Sequence, residues 1–464
     1  MPKPQPKPDL ELDPAELEAI FHLVLPTKVI RQLASDSGVV QRERQLDLDL
    51  FARAMFIGGQ THEGGRQADM LRAYASSTNT KPARSGFYRK FDAKLDTFTE
   101  RVLAHAMARA RAEPVLLPSI LGGVIDWRIV DSTTVKLRDV PALKDKYPGT
   151  GDYAAIKVHK TISVGATAMV DYHFSPAREH DSIHLKIDES WRGFGMLVDL
   201  GYVSHARLRE CEENGVVYVV RLKDGWRPKV DRVVRGEITG PWLEGSDLQM
   251  LIKEETLLLD GKAIDIDAWV GPGSAPIQLR IVGVQLPSGA YGFYLTNLPR
   301  STHGPNQVAT LYRLRWEIES DNKLDKSCHK LDKVDAVTPE SVRIVLRAAM
   351  TASILVNLIV HRAHVKAGLR EKTLVRTSAP LHPMALARMM GTAALLIAHA
   401  MREEKPGGPA WDGLAISLLG NARDPNWRHA PSVHDLLRGY ACPGPAKKRR
   451  RSKTAEKPKL LSAK

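Results

Sequence analysis

The chain has 464 residues, 43% hydrophobic and 26% charged, which supplies enough apolar side chains for buried cores and excludes wholesale disorder. Lys and Arg number 67 against 53 Asp and Glu, a surplus of +14 that points to a polyanionic partner and says nothing about fold. Cys211, Cys328 and Cys442 stand alone with no CxxC pair, so a disulfide framework and a cysteine zinc site are excluded and a reducing, cytoplasmic setting is expected. The N-terminal text lacks the apolar segment of a signal peptide. The longest apolar runs, 354–360 and 393–397, fall short of the ~20 residues that cross a bilayer, so no membrane partner is expected.

Asp13-Pro14 opens helical text that runs to about residue 112. Within it, 67–74 and 83–95 read as two helical segments joined by a Ser/Thr/Asn turn. The second carries Phe87 and Phe91 for burial and Arg84, Arg89, Lys90 and Lys94 elsewhere. The pattern fits a helix-turn-helix reader, which would put Arg89 and Lys90 on DNA. It fits equally a helical hairpin with a solvated basic face.

At Gly122 the period changes. Segments 124–137, 156–164 and 168–174 are rich in Val, Ile and Thr and read as three hairpin-connected strands. A helix over 182–192, a buried strand over 196–199, a helix over 204–213 and a strand over 216–222 complete an α/β sheet. From 226 to 298 only short strands follow (248–253, 263–270, 277–284, 291–296), punctuated by Gly/Pro turns. Helical text resumes at His303, with apolar helices at 339–365 and 383–404. The last 18 residues hold nine Lys/Arg and one acid, a low-complexity tail that supplies more than half of the net charge.

The most informative stretch is a helix from Leu311 to Lys326. At 100° per residue, Tyr312, Arg315, Glu319 and Lys326 fall within an arc of about 60°, beside an apolar stripe of Leu311, Leu314 and Ile318. A carboxylate flanked by two cations and a phenol becomes useful if Glu319 binds a metal while the cations hold phosphates. Such a metal needs further hard oxygen ligands. Asp131 interrupts the first long strand and Asp199 ends the short apolar run 196–198, local breaks of the kind found at functional sites.

The spacing Tyr312, Arg315, Glu319, Lys326 resembles the Y-R-E-K signature of the insertion-sequence-4 family of DDE transposases. Ile129-Val130-Asp131-Ser132-Thr133-Thr134 resembles that family's first catalytic aspartate segment, and Leu197-Val198-Asp199-Leu200-Gly201-Tyr202 its second. His180-Asp181-Ser182 resembles a further landmark, and Tyr294-Leu295-Thr296-Asn297-Leu298 the strand before the signature helix. The resemblance covers residues 122 to 331. It implies an α/β fold: a ribonuclease-H-like catalytic core (120–222 and 290–335) interrupted by a β-rich insertion (223–289). An N-terminal helical DNA-binding domain (10–115), a C-terminal helical region serving dimerisation (336–440) and a disordered basic tail (441–464) would surround it. The interval from Asp199 to Glu319 is nearly twice that from Asp131 to Asp199, which leaves room for the insertion.

The resemblance further implies that Asp131, Asp199 and Glu319 hold two Mg²⁺ ions, with Mn²⁺ as a substitute, and that Tyr312, Arg315 and Lys326 grip phosphates. The expected activity is metal-dependent cleavage of insertion-sequence ends and strand transfer into target DNA. The expected partners are double-stranded DNA (terminal inverted repeats and target) and a second copy in a paired-end complex, in a bacterial cytoplasm at the nucleoid. One departure stands out: where relatives carry a tryptophan that meets a flipped base, this chain has Gly292, between Tyr291 and Phe293. Three other readings compete. One is a ribonuclease-H-like nuclease without transposition, another a domesticated DNA-binding protein. The third is a zinc hydrolase built on His180 and His184 at i,i+4 on a helix.

Overall fold

The computed structural model describes residues 10–39, 47–58, 67–78, 83–115, 117, 121–238, 245–253, 257–258, 263–286, 290–332, 334–370, 379–401 and 408–427. The expected tail at 441–464, with Cys442, lies outside them. The N-terminal helices are α1 (Pro14–Val24), α2 (Thr27–Asp36), α3 (Leu48–Arg53), α4 (Gln67–Ser77), α5 (Arg84–Tyr88) and α6 (Ala93–Arg111). Asp13 and Glu16 cap α1 reciprocally through bonds of 2.8 Å, with Pro14 at the first turn. The single helix expected over 83–95 is broken. The Asp92 side chain accepts from the N–H groups of Lys94 and Leu95, so it starts α6 afresh and leaves α5 only five residues long. Phe87 and Phe91 are buried as their spacing predicts.

The sheet begins as an antiparallel meander of β1 (Trp127–Lys136), β2 (Ala155–Ser163) and β3 (Ala168–Pro176), with α7 (Pro141–Lys146) between the first two. β4 (Gly195–Val198) pairs parallel with β1 and, beyond α8 (His205–Glu213), β5 (Val217–Arg221) pairs parallel with β4. The order β3-β2-β1-β4-β5, three antiparallel strands followed by two parallel ones, is the ribonuclease-H-like arrangement. The helix expected over 182–192 is two short 3₁₀ turns, Asp181–His184 and Glu189–Trp191. Between them Leu185 and Ile187 are buried at a spacing of two, an extended period that a helix cannot satisfy.

The chain continues through β6 (Lys229–Arg235), β7 (Glu237–Ile238), α9 (Leu248–Lys253), β8 (Leu257–Leu258), β9 (Ile264–Val270), β10 (Ile277–Gln285) and β11 (Tyr291–Thr296). The segment 248–253 is a helix rather than the expected strand, because Asp247 caps it by accepting from the N–H groups of Gln249 and Met250. β11 returns to pair with β5, and β10, β9 and β6 extend the same sheet to nine strands. β7 and β8 form a small separate ribbon.

Helices α10 (Pro305–Arg313), α11 (Trp316–Ser327), α12 (Pro339–Arg370), α13 (Pro383–Thr392), α14 (Ala394–Ala400) and α15 (Pro409–Asn421) follow among the described residues. The helix expected over 383–404 is bent by 74° between α13 and α14. The stretch Pro339–Ala367 of α12 is long and apolar enough to cross a bilayer, which corrects the expectation that no segment reaches that length. Its most apolar 18-residue window is 94% buried inside the protein, as the central helix of a core shared by the N-terminal helices, the C-terminal helices and one face of β1–β3. Ion pairs tie it to α6: Arg343 to Asp96 at 2.6 Å, and the buried Arg347 to the same carboxylate.

Candidate active site

β1 and β4 run parallel with Val130 beside Val198, so the next residues along the two strands, Asp131 and Asp199, emerge side by side. Asp199 is exposed at the start of a 3₁₀ turn, Leu200–Tyr202, while Asp131 is half-buried. Burial is the main reason that the Asp131 carboxyl is pushed up to about 6, and the charge of Asp199 adds to it. The backbone N–H of Ser132 and the Arg315 guanidinium act the other way.

The third carboxylate arrives on α11. The continuous helix expected from Leu311 to Lys326 is two helices. At the joint Leu314 N–H donates to Leu311 O, Arg315 N–H to Tyr312 O and Glu317 N–H to Leu314 O, tight i→i−3 bonds that interrupt the α ladder. The expected arc is thus divided between two helices, although Arg315 still meets both Tyr312 and Glu319. The apolar stripe holds: Leu311, Leu314 and Ile318 are all fully buried. Arg315 Nη2 lies 2.8 Å from Glu319 Oε1, and its guanidinium lies between the rings of Tyr312 and Trp316, 5.9 and 5.3 Å from their centroids. Burial opposes the Arg315 charge, but Tyr312, Glu319 and Asp199 outweigh it and raise its pKa. Burial likewise pushes the Tyr312 phenol up, with Asp199 adding to the shift. Lys326 is half-buried two turns beyond Glu319 and makes no ion pair among the described residues.

The structure thus brings together Asp131, Asp199, Tyr312, Arg315 and Glu319. Arg89 and Lys90 lie elsewhere, at the end of α5 in the N-terminal core. Arg89 Nε donates to Ser85 O at 3.3 Å, and a five-residue helix ending in a turn is not the recognition helix expected there. Sequence spacing missed three nearby groups. Asn322 Nδ2 donates to Asp131 Oδ2 at 3.4 Å. Ser132 Oγ and Lys157 Nζ both reach Asp181, at 2.9 and 2.8 Å. Although burial raises the Asp181 carboxyl, those two bonds outweigh it and hold its pKa below the usual range. Register alone signals Lys157, since it sits opposite Thr134 on β1. Asn322 has no such signal.

Polar atoms at the site are left over. Asn322 Oδ1 and Arg315 Nε are buried without a hydrogen-bond partner among the described residues, an acceptor beside Asp131 and a donor beside Glu319. Among the described residues no three His, Cys, Asp or Glu side chains converge tightly enough to enclose a metal, and Glu319 is ion-paired with Arg315. The zinc reading fails on geometry. His180 and His184 lie on a 3₁₀ turn, where His180 Nδ1 bonds Ser182 Oγ and His184 Nε2 meets Glu179 Oε2, both at 2.8 Å. At Gly292 an added Cβ would stand 2.8 Å from the Tyr294 hydroxyl. The Tyr294 ring packs 5.1 Å from that of Tyr312.

The transposase DDE domain family matches residues 123–355, half of the chain and the whole of this site. The chain belongs to the DDE transposase family. The chemistry of that family is metal-dependent DNA cleavage and strand transfer. The chain is 22% identical to the transposase of insertion sequence element IS1151 of Clostridium perfringens over 50% of its own length and 57% of that protein's. It is also 22% identical to the transposase of IS231D of Bacillus thuringiensis subsp. finitimus, over 70% of this chain and 75% of that one. A piggyBac transposase synaptic complex with hairpin DNA aligns over 91% of this chain and 92% of that one, with 12% identity and a TM-score of 0.46.

Proposed function

We propose that this transposase cuts the ends of an insertion sequence and joins them to target DNA, with Asp131, Asp199 and Glu319 as its metal-holding carboxylates and Mg²⁺ as the ion. The observation that carries the reading is the adjacent exit of Asp131 and Asp199 from parallel strands beneath a helix bearing Glu319. The donor set fits a hard cation: two neighbouring carboxylates, of which Asp199 raises the cost of ionising Asp131, and an orphaned amide oxygen on Asn322. Glu319 would complete it by leaving Arg315, whose Nε and freed Nη2 would then turn to a phosphate oxygen. Divalent ions held by Asp131, Asp199 and Glu319 would supply activation of water and charge stabilisation of the leaving oxygen.

The chain's own residues orient the DNA. Arg315 offers a planar fork to a phosphate, Tyr312 braces that fork with its ring, and Lys326 reaches the backbone one further step along. The ends bound would be terminal inverted repeats, held in a paired complex by two copies of the chain in the cytoplasm at the nucleoid. N-terminal helices would contribute DNA contacts, including Arg89 and Lys90, and C-terminal helices the dimer contacts.

The test is cleavage of duplex carrying the element's own ends in Mg²⁺ by wild type and by Asp199→Asn. Wild type should nick and then join the ends, and the variant should do neither while binding DNA as before. Equal activity in both would overturn the metal assignment. Nicking without strand transfer in wild type would favour the ribonuclease-H-like nuclease reading instead.

A further inference from the structure

Beside the carboxylate site, but outside it, lies a buried ion cluster. Lys160 on β2 is 1% exposed, with Nζ 2.6 Å from Asp321 Oδ2 and 2.7 Å from Asp325 Oδ2, both on α11. Asn357 on α12 donates to Asp321 Oδ1 at 2.8 Å. Lys160 is the residue directly opposite Asp131 in the β1–β2 register, so the two side chains leave the sheet on the same face as immediate neighbours. Asp321 and Asp325 share one stripe of α11 at i,i+4, while Glu319 and Asn322, three apart, share the next. One stripe is therefore bolted to β2, and the other is presented over β1.

We propose that Lys160 is a positioning residue: with Asp321, Asp325 and Asn357 it fixes the roll and height of α11, so that Glu319 and Asn322 meet Asp131 at metal-binding distance. The inference rests on the assignment of Glu319 and Asp131 as metal-holding groups. A buried ion cluster is poor value as a source of stability, because desolvation offsets most of its attraction and well-packed apolar residues do as well. Its particular property is direction. Three short bonds to one helix stripe fix its rotation about its axis, whereas an apolar contact tolerates sliding. Metal sites feel such displacements, and loss of groups that orient ligands commonly costs roughly 10–100-fold in metal affinity or activity.

The experiment replaces the cluster without leaving a charge stranded: Lys160→Met with Asp321→Asn and Asp325→Asn in the full chain. Thermal melting, calorimetric titration with Mn²⁺ and single-turnover end cleavage across a Mn²⁺ series are measured together. The expected result is a near-native melting temperature, Mn²⁺ affinity weaker by about tenfold or more and cleavage at saturating Mn²⁺ slower by about 10²-fold, with DNA-end affinity kept. Wild-type Mn²⁺ affinity and rate in a folded triple variant overturn the proposal. If the triple variant does not fold, Asn357→Leu, which leaves both ion pairs intact, decides: Mn²⁺ binding weakened severalfold supports the role, and unchanged binding overturns it. Asp199→Asn runs alongside. Should it bind Mn²⁺ and cleave like wild type, the site assignment itself has failed. Should it lose both while the cluster variants lose neither, only the positioning role has.

Discussion

Asp131→Asn is expected to stabilise the metal-free protein at neutral pH while abolishing cleavage. The carboxyl has an ordinary value of 3.8, and burial, helped by Asp199, pushes it up to about 6 in the fold. Between those values the folded protein keeps a proton that the unfolded chain has released. Stability therefore falls as pH rises from about 3.8 to about 6 and is level on either side. At about 1.4 kcal/mol per pH unit, the full loss is about 3 kcal/mol at pH 7.5 and about half of that at pH 5. Asn has the same shape and no charge, and its carbonyl can still accept from Asn322. Urea unfolding in EDTA should show the variant more stable by those amounts, with the difference closing by pH 4. Added Mg²⁺ should then stabilise wild type but not the variant, since only wild type binds it. A gain of equal size at pH 5 and 7.5, or none, would refute the assignment of a buried, ionised Asp131.

Arg315→Ala removes the partner of Glu319 and the proposed phosphate fork. End binding or cleavage should fall by about ten- to a hundredfold, the range of a lost charged hydrogen bond, with thermal melting little changed. Loss of solubility instead would mark Arg315 as structural. Asp96→Ala takes the shared carboxylate from Arg343 and the buried Arg347, leaving Arg347 with Glu100 and the Tyr172 hydroxyl, and should destabilise the α6–α12 interface by about 2–3 kcal/mol, read by denaturant unfolding; a loss under about 1 kcal/mol would show that the interface does not depend on the pair. Removing residues 447–464, with nine of the basic side chains, should lower non-specific DNA affinity and flatten its salt dependence. End cleavage at saturating DNA should persist, and its loss would place the tail in catalysis.

Strand text was the most legible part of the sequence. β1 to β5 lie within three residues of their expected places, because Val, Ile and Thr runs bounded by turns leave a buried strand little freedom. The two aspartates were legible as charges breaking apolar runs, and the parallel pairing of β1 with β4 then explains their meeting. Helix breaks were not legible where they depend on a cap that the hydrophobic period ignores. Asp92 splits 83–95 and Asp247 turns 248–253 into a helix, in each case by capturing two N–H groups. The turns at 181–191 were misread because Leu185 and Ile187 repeat every two residues within a window that also contains helix-forming residues. Lys160 was invisible for a different reason. A lysine in a strand reads as solvent-facing until Asp321 and Asp325, far along the chain, arrive to bury it.

The break at Leu314 and Arg315 changes what the signature stretch can do. A continuous helix would carry Tyr312 and Glu319 as one rigid piece. Instead α10 packs on β5, β10 and β11, with Tyr312 against Tyr294, while α11 packs on β1 and α12 and is bonded to Lys160 of β2. The phenol is thus referenced to one half of the sheet and the carboxylate to the other, the half that holds Asp131. Arg315 sits at the joint and touches both. In the proposed metal-bound state Glu319 would leave it, and the guanidinium would need a new anion, which a DNA phosphate beside Tyr312 would supply. Metal binding and DNA binding would then favour each other through a single side chain. Arg315→Ala should consequently remove the mutual enhancement of Mn²⁺ and DNA-end affinities as well as weaken each, and a variant that retained the enhancement in full would show that the coupling runs elsewhere.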